Sequence, residues 1–257
     1  MTRPLTDPGT AADGEADGEP AAELRFSEPQ AMHARYARRA ALPPGRYSLL
    51  EPAALRERQG RQRALVQQLL RHGRTDLSSL TLTELGCGLG GNLLELLQLG
   101  FRPHNLHGIE LLPDRHAAAR QVLPPALSLW LGDGSIAPVS PQSQDLVLVS
   151  TVYSSVLDDG FQQRLADATW RWLKPGGAVI VYDFRVDNPR NPDVRGVPAW
   201  RLRALYPQGR AETVSLTLAP PLARAVGRLH PVLIGALAGL PPLRTHLLAW
   251  IAKPRQS

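Results

Sequence analysis

The sequence predicts an α/β fold: a mostly parallel sheet covered by helices on both faces. Three observations carry this. Short apolar runs alternate with helical patterns through the middle of the chain. One run enters a helical pattern through a loop of alternate glycines, Gly86, Gly88 and Gly90. Another, Asp145-Leu146-Val147-Leu148-Val149-Ser150, is apolar at every position between its ends, as a strand covered on both faces requires.

In chain order, residues 1–22 read as a disordered tail, with five acids, one arginine and no apolar run. Residues 23–73 read as a helical segment placed to act as a lid. Met32 to Ala41 is basic and helical in pattern, Pro43-Pro44-Gly45 is a break, and a helix from Leu55 to Arg71 groups Leu65, Val66, Leu69 and Leu70 on one side. The main domain spans 74–257. It opens with the strand Leu80-Thr83, the run Thr83-Glu84-Leu85-Gly86-Cys87-Gly88-Leu89-Gly90-Gly91-Asn92, and a helix from Asn92 to Leu99 that Gly100 caps. Strand, glycine loop and helix N-terminus together present free N–H groups to a polar ligand. The strands Leu106–Glu110, Leu127–Asp133 and 145–150 follow, then a helix from Phe161 to Leu173. Lys174-Pro175-Gly176-Gly177 breaks that helix before the strand Ala178–Tyr182. A polar loop occupies about 183–210, Glu212–Leu218 and Arg244–Ala252 read as further strands, and an apolar insertion spans about 220–242. Ordinary packing, a homodimer contact and peripheral membrane binding are the three readings of that insertion.

The glycine loop fits two cofactors. Gly86, Gly88 and Gly91 match the dinucleotide fingerprint G-x-G-x-x-G. Glu84, Gly86, Gly88 and Gly90 resemble the first motif of class I S-adenosylmethionine-dependent methyltransferases. Glu110, ending a strand about twenty residues on, suits a ribose diol in either class. Asp133, ending the third strand, and Leu-Lys-Pro-Gly-Gly before the fifth match the methyltransferases alone. The chain is thus similar to that family over roughly residues 60–185, and its passages at 150–159 and 182–192 look like a bacterial subgroup of methyltransferase-domain proteins of the type 11 kind.

The resemblance implies a Rossmann-like fold with a seven-stranded, mostly parallel sheet and an antiparallel last strand. It implies S-adenosylmethionine as cofactor and S-adenosylhomocysteine as product. The cofactor residues it implies are Glu84, Gly86, Cys87, Gly88, Gly90, Asn92, Glu110, Leu111, Asp133, Gly134, Ser150 and Tyr153. The acceptor implied is a small molecule or glycan, methylated on an oxygen in a biosynthetic pathway. Residues expected at the acceptor are Arg46, Tyr47, Arg185, Asn188, Arg195 and His246. Asp183, ending the fifth strand, is the expected catalytic contact, with His33, His246 and Tyr153 as other groups able to move a proton. A nicotinamide-dependent oxidoreductase and a non-catalytic S-adenosylmethionine-binding protein are the alternatives.

The chain of 257 residues carries a net charge of +6 with a pI near 10.1. Since the tail is acidic, the remainder is more basic still. Lysine occurs only at Lys174 and Lys253, so the excess is arginine. A compositional bias of the source accounts for it, as does an anionic substrate. The arginines are scattered without aromatic clustering, and nucleic acid is not the expected partner. No secretory signal, spanning segment or metal-ligand cluster is evident, and Cys87 is the single cysteine, so a cytoplasmic protein without disulfides is expected.

Overall fold

The computed structural model describes residues 27–40, 48–188 and 191–255. The expected tail and the candidates Arg46 and Tyr47 lie outside the described residues. Seven strands form one sheet: β1 (Leu82–Leu85), β2 (Leu106–Glu110), β3 (Ser128–Leu131), β4 (Gln144–Ser150), β5 (Leu173–Phe184), β6 (Arg210–Leu218) and β7 (Arg244–Ala252). Their order is β3-β2-β1-β4-β5-β7-β6. The first five pair in parallel, and β7 runs antiparallel to both β5 and β6. The chain direction reverses its spread across the sheet between β1 and β4, which opens a crevice at their carboxyl ends.

Period-two alternation along the strands builds two cores. On β4, Leu146 and Leu148 face a cluster that includes Leu65 and Leu69 of α2 (Pro52–Arg71), Leu93 and Leu96 of α3 (Gly91–Gln98) and Ala119 of α4 (Pro113–Val122). Val147 and Val149 face the opposite cluster, with Met32 of α1 (Glu28–Ala40), Phe161, Leu165 and Trp172 of α5 (Asp159–Trp172) and Leu202 of α6 (Ala199–Leu205). Each such large apolar side chain, fully buried, contributes about 1.5–3 kcal/mol. A third, smaller cluster joins Leu218 to Ala223 of α7 (Pro220–Leu229) and Ile234 of α8 (Pro231–Ala238).

Several expectations shift. Leu70 is exposed, and the buried polar residue Gln68 takes a place on the inner face of α2. The helix does end before the Lys-Pro-Gly-Gly segment, but that segment already belongs to β5 as its irregular start, where pairing slips between Gln144 and Leu146 of β4. Its lysine ties the two strands, Lys174 Nζ lying 2.8 Å from Asp145 Oδ2. A side chain at Gly177 would come within 2.7 Å of the Asp145 carbonyl oxygen, so glycine is needed for that approach. Part of the expected loop at 183–210 is helical, as α6. The apolar insertion forms α7 and α8, which pack on α2 and the end of β6. Among the described residues no helix is long and apolar enough to cross a membrane.

Candidate functional site

The turn from β1 into α3 is built by Gly86, Gly88 and Gly90, at φ of +70°, +58° and +83°. These values favour glycine because a Cβ would clash with the following carbonyl. Gly90 caps α3, whereas Gly91 lies within the helix and has open space around it. The geometry therefore follows the alternate-glycine spacing rather than the one that uses Gly91. The amides of Gly86 and Cys87 donate to the Ile109 carbonyl at 2.8 and 2.9 Å, which fixes the loop to the end of β2.

Three carboxylates surround this loop. Glu110 accepts from the Gly88 amide at 2.7 Å through Oε2 and from the Leu112 amide at 2.9 Å through Oε1. Arg115 lies over it, Nε at 4.0 Å from Oε2, with its guanidinium 4.9 Å from the centre of the Tyr36 ring. Asp133 accepts from the Ser135 amide at 2.8 Å through Oδ1. Glu84 is fully buried at the end of β1; Asn92 donates to its Oε1, and Oε2 has no partner among the described residues. Burial pushes its carboxyl up to about 8, opposed by the Asn92 hydrogen bond.

Glu110, Arg115 and Asp133 line a cavity of about 350 Å³ together with Asn92, Leu111, Gly132, Gly134 and Ser150; Glu84 is not in its wall, but its hydrogen-bond partner Asn92 is. Thr151, next to Ser150 at the end of β4, sits at φ +55° and donates its amide to the Tyr182 carbonyl at 2.7 Å. Such a conformation in a β-branched residue is strained, and the surrounding bonds hold it at the cavity wall. Cys87 also lines the cavity, and burial raises its thiol well above its usual range, which suits a packing role. Tyr36 of α1 and Ala54, Arg58 and Arg61 of α2 line the cavity from the helical segment.

Other expected residues lie elsewhere. Tyr153 is wholly buried, its hydroxyl hydrogen-bonded to Tyr206, whose own hydroxyl lies 2.8 Å from Thr169 Oγ1. It lies outside the cavity because the short 3-10 turn 153–155 directs its ring into the α5 core. Asp183 is also wholly buried, accepting from the amides of Ser154 at 3.0 Å and Phe184 at 2.8 Å. It points to the α5 side of the sheet, so it fixes a loop rather than meeting a ligand; burial lifts its carboxyl to about 6. Arg195 pairs with Asp159 on the surface, and Arg185 lines neither cavity. His246 stacks on Tyr182 with ring centres 5.1 Å apart, and burial with the nearby Arg61 charge lowers its imidazole to about 3. His33 of α1 lines neither cavity.

Asn188 lines a second and larger cavity, of about 840 Å³. Ala54 and Glu57 of α2 belong to the walls of both. Glu57 is raised by burial, opposed by the Arg61 charge, and accepts from the Tyr182 hydroxyl at 3.3 Å. That hydroxyl is also 2.9 Å from Thr217 Oγ1. Sequence reasoning missed Glu57. Its signal was a lone acid in the run Arg56-Glu57-Arg58 with Arg61 one turn on.

Residues 83–177 match a family described as a methyltransferase domain. Those residues thus carry a class I S-adenosylmethionine-dependent methyltransferase domain. Among curated proteins, this methyltransferase chain is 28% identical over 120 residues to the tRNA N(3)-methylcytidine methyltransferase Mettl2 of Drosophila melanogaster. That match covers 42% of this chain and 35% of the fly protein, so the chain spans about a third of its length. In fold it is similar to a candidate sarcosine dimethylglycine methyltransferase from Galdieria sulphuraria, with a TM-score of 0.58 at 16% identity over 79% of this chain and 87% of that one. It is also similar to an S-adenosylmethionine-dependent methyltransferase from Mesorhizobium loti, with a TM-score of 0.53 at 18% identity over 69% and 93% of the two chains.

Proposed function

We propose that the chain transfers a methyl group from S-adenosylmethionine to an oxygen atom of a small-molecule acceptor held in the second cavity. The observation that supports this most is Glu84 Oε2, a buried carboxylate oxygen without a partner beside the glycine loop. An unpaired buried acid is costly, and a cationic ligand group entering from the first cavity past Gly86 and Asn92, which line it, would satisfy it. The donor set fits the cofactor: Glu84 for the methionyl ammonium, Glu110 for the ribose diol and Asp133 Oδ2 for the adenine amino group. When bound, S-adenosylmethionine supplies a methyl carbon activated by a positively charged sulfur.

The chain's own residues supply alignment and proton handling. α1 and α2 act as the lid, excluding water from the first cavity and setting one wall of the second. Glu57, on the wall common to both, accepts the proton of the acceptor hydroxyl at its carboxylate as the new C–O bond forms. Its raised affinity for protons makes it a better base than a solvated glutamate, and Tyr182 holds its orientation.

Support for a small molecule over RNA comes from where the arginines go. Arg35 pairs with Glu28, Arg38 with Asp193, Arg58 and Arg61 with Glu95, and Arg195 and Arg201 with Asp159. These six arginines are thus held by acids within the fold and are not free to form a phosphate-binding surface. The Drosophila relative acts on tRNA, which makes tRNA the comparison acceptor.

The test is turnover, read as S-adenosylhomocysteine formed with pooled small-molecule extracts and with tRNA. Glu57→Gln is expected to lower kcat with the extract by about a hundredfold or more, with cofactor affinity unchanged. Turnover with tRNA alone would refute the acceptor class, and NAD(H) binding in place of S-adenosylmethionine would refute the cofactor.

A further inference from the structure

The second cavity has two chemically different sides. From the end of β6 through α7 and α8, its wall is apolar, with Leu218, Pro220, Pro221, Ala223, Ile234 and Ala238. At about 840 Å³ it is more than twice the volume of the cofactor cleft, and ligand cavities of this size hold drug-sized molecules. The facing wall is α2, which contributes Arg56, Gly60 and Arg63. These residues are four and three apart, so they share one helix face.

Gly60 is the decisive residue on that face. A Cβ built there meets nothing within 4 Å, so the glycine leaves a notch between two arginines on a helix where alanine would be favoured by about 1 kcal/mol. Arg56 and Arg63 have no ion pair or hydrogen bond among the described residues, unlike Arg58 and Arg61 on the adjoining face. Arg224 of α7 lines the cavity as well, and its charge acts on Glu57. Of the acids on this rim, Asp193 is engaged by Arg38 and Asp187 by the Gly196 amide; Glu51 and Glu57 remain.

We infer that the second cavity takes an amphiphilic acid, its apolar body against α7 and α8 and its anionic head, a carboxylate or a phosphate, at the notch between Arg56, Arg63 and Arg224. The assignment rests on the second cavity being the acceptor site. It gives the insertion at 220–242 a role beyond packing, since that segment forms the apolar wall. It also explains why a glycine interrupts an otherwise regular helix. Guanidinium groups suit such a head because they present paired N–H donors to two oxygens at once.

The test uses the full chain and four probes below their aggregation concentrations: dodecyl phosphate, dodecanoate, dodecanol and inorganic phosphate. Binding is followed by calorimetry, with S-adenosylmethionine affinity measured separately for every variant. The two anionic amphiphiles are expected to bind at least tenfold more tightly than dodecanol or inorganic phosphate, and the ratio between them tells phosphate from carboxylate. Arg224→Ala and Arg63→Ala should each weaken the anionic amphiphiles about tenfold and leave dodecanol unchanged. Gly60→Leu fills the notch at a position with room for the side chain, so it should fold and still lose the anionic amphiphiles. Equal binding of dodecanol and dodecyl phosphate, or indifference to Gly60→Leu in a folded variant, would overturn the assignment. If the chain bound the amphiphiles but not S-adenosylmethionine, the methyl-transfer reading would fail and the cavity would stand as a binding site for an amphiphilic acid, without an acceptor role. Cofactor binding without amphiphile binding would do the reverse.

Discussion

Cofactor binding should expel a proton from Glu84, and the size of that release can be worked from the structure. Burial lifts the Glu84 carboxyl to about 8, so the ligand-free protein holds it protonated at neutral pH. Pairing with a methionyl ammonium requires the carboxylate form. The ammonium itself titrates as an α-amino group, near 7.8. With both titrations included, binding releases about one proton at pH 6 and about three-quarters of one at pH 7, and it crosses to uptake near pH 8. Affinity should rise close to tenfold between pH 6 and pH 7 and be highest near pH 8. Calorimetry at pH 6.5 in two buffers of different ionisation enthalpy reads the release directly. Glu84→Gln keeps a partner for Asn92 but has no proton to lose, so its release should vanish and its pH dependence should flatten. A wild-type release near zero at pH 6.5, or an equal release from Glu84→Gln, would refute the assignment of Glu84 to the ammonium.

Three further outcomes follow from named contacts. Glu110→Ala removes the acceptor of the Gly88 and Leu112 amides and the expected ribose contact, so calorimetry should show S-adenosylmethionine affinity falling by about a hundredfold. Tyr206→Phe breaks the hydroxyl chain to Tyr153 and Thr169, so denaturant unfolding should show a loss of about 1–3 kcal/mol while cofactor affinity stays the same. Asp183 binds its proton more tightly folded, at about 6, than unfolded, so its contribution to stability is present below about pH 4 and is lost as pH rises through 6. Asp183→Asn should therefore flatten the stability profile between pH 4 and 6 and leave cofactor affinity unchanged; a fall in affinity would return Asp183 to the site.

The strands were legible where an apolar run ended in a polar or glycine signal. Leu106–Glu110 and Arg244–Ala252 fall at the expected bounds because turn residues flank both. The helix break at Lys174–Gly177 was legible, but β5 begins at Leu173 rather than Ala178, because the Lys174–Asp145 contact carries the Pro-Gly-Gly segment into the sheet as a bulge. Acids at strand ends were legible as a class, but facing was not. Glu84 and Asp183 both lie at strand ends on the crevice side of the sheet, yet one sits against Asn92 beside the glycine loop and the other turns into the α5 core. A one-residue difference in register decides that, and composition carries no trace of it. Glu57 was hidden for another reason: an acid on an arginine-rich helix normally reads as a solvated ion-pair partner.

The placement of α2 has a thermodynamic consequence. A single helix walls both cavities, with Glu57 common to the two and Arg58 and Arg61 anchored to Glu95 beside the cofactor cleft. Any ordering of α2 by one ligand lowers the cost of ordering it for the other, and linkage makes that coupling reciprocal. On the proposed reading, a ligand in either cavity would raise the affinity of the other through this shared helix, favouring the state in which both are filled before chemistry begins.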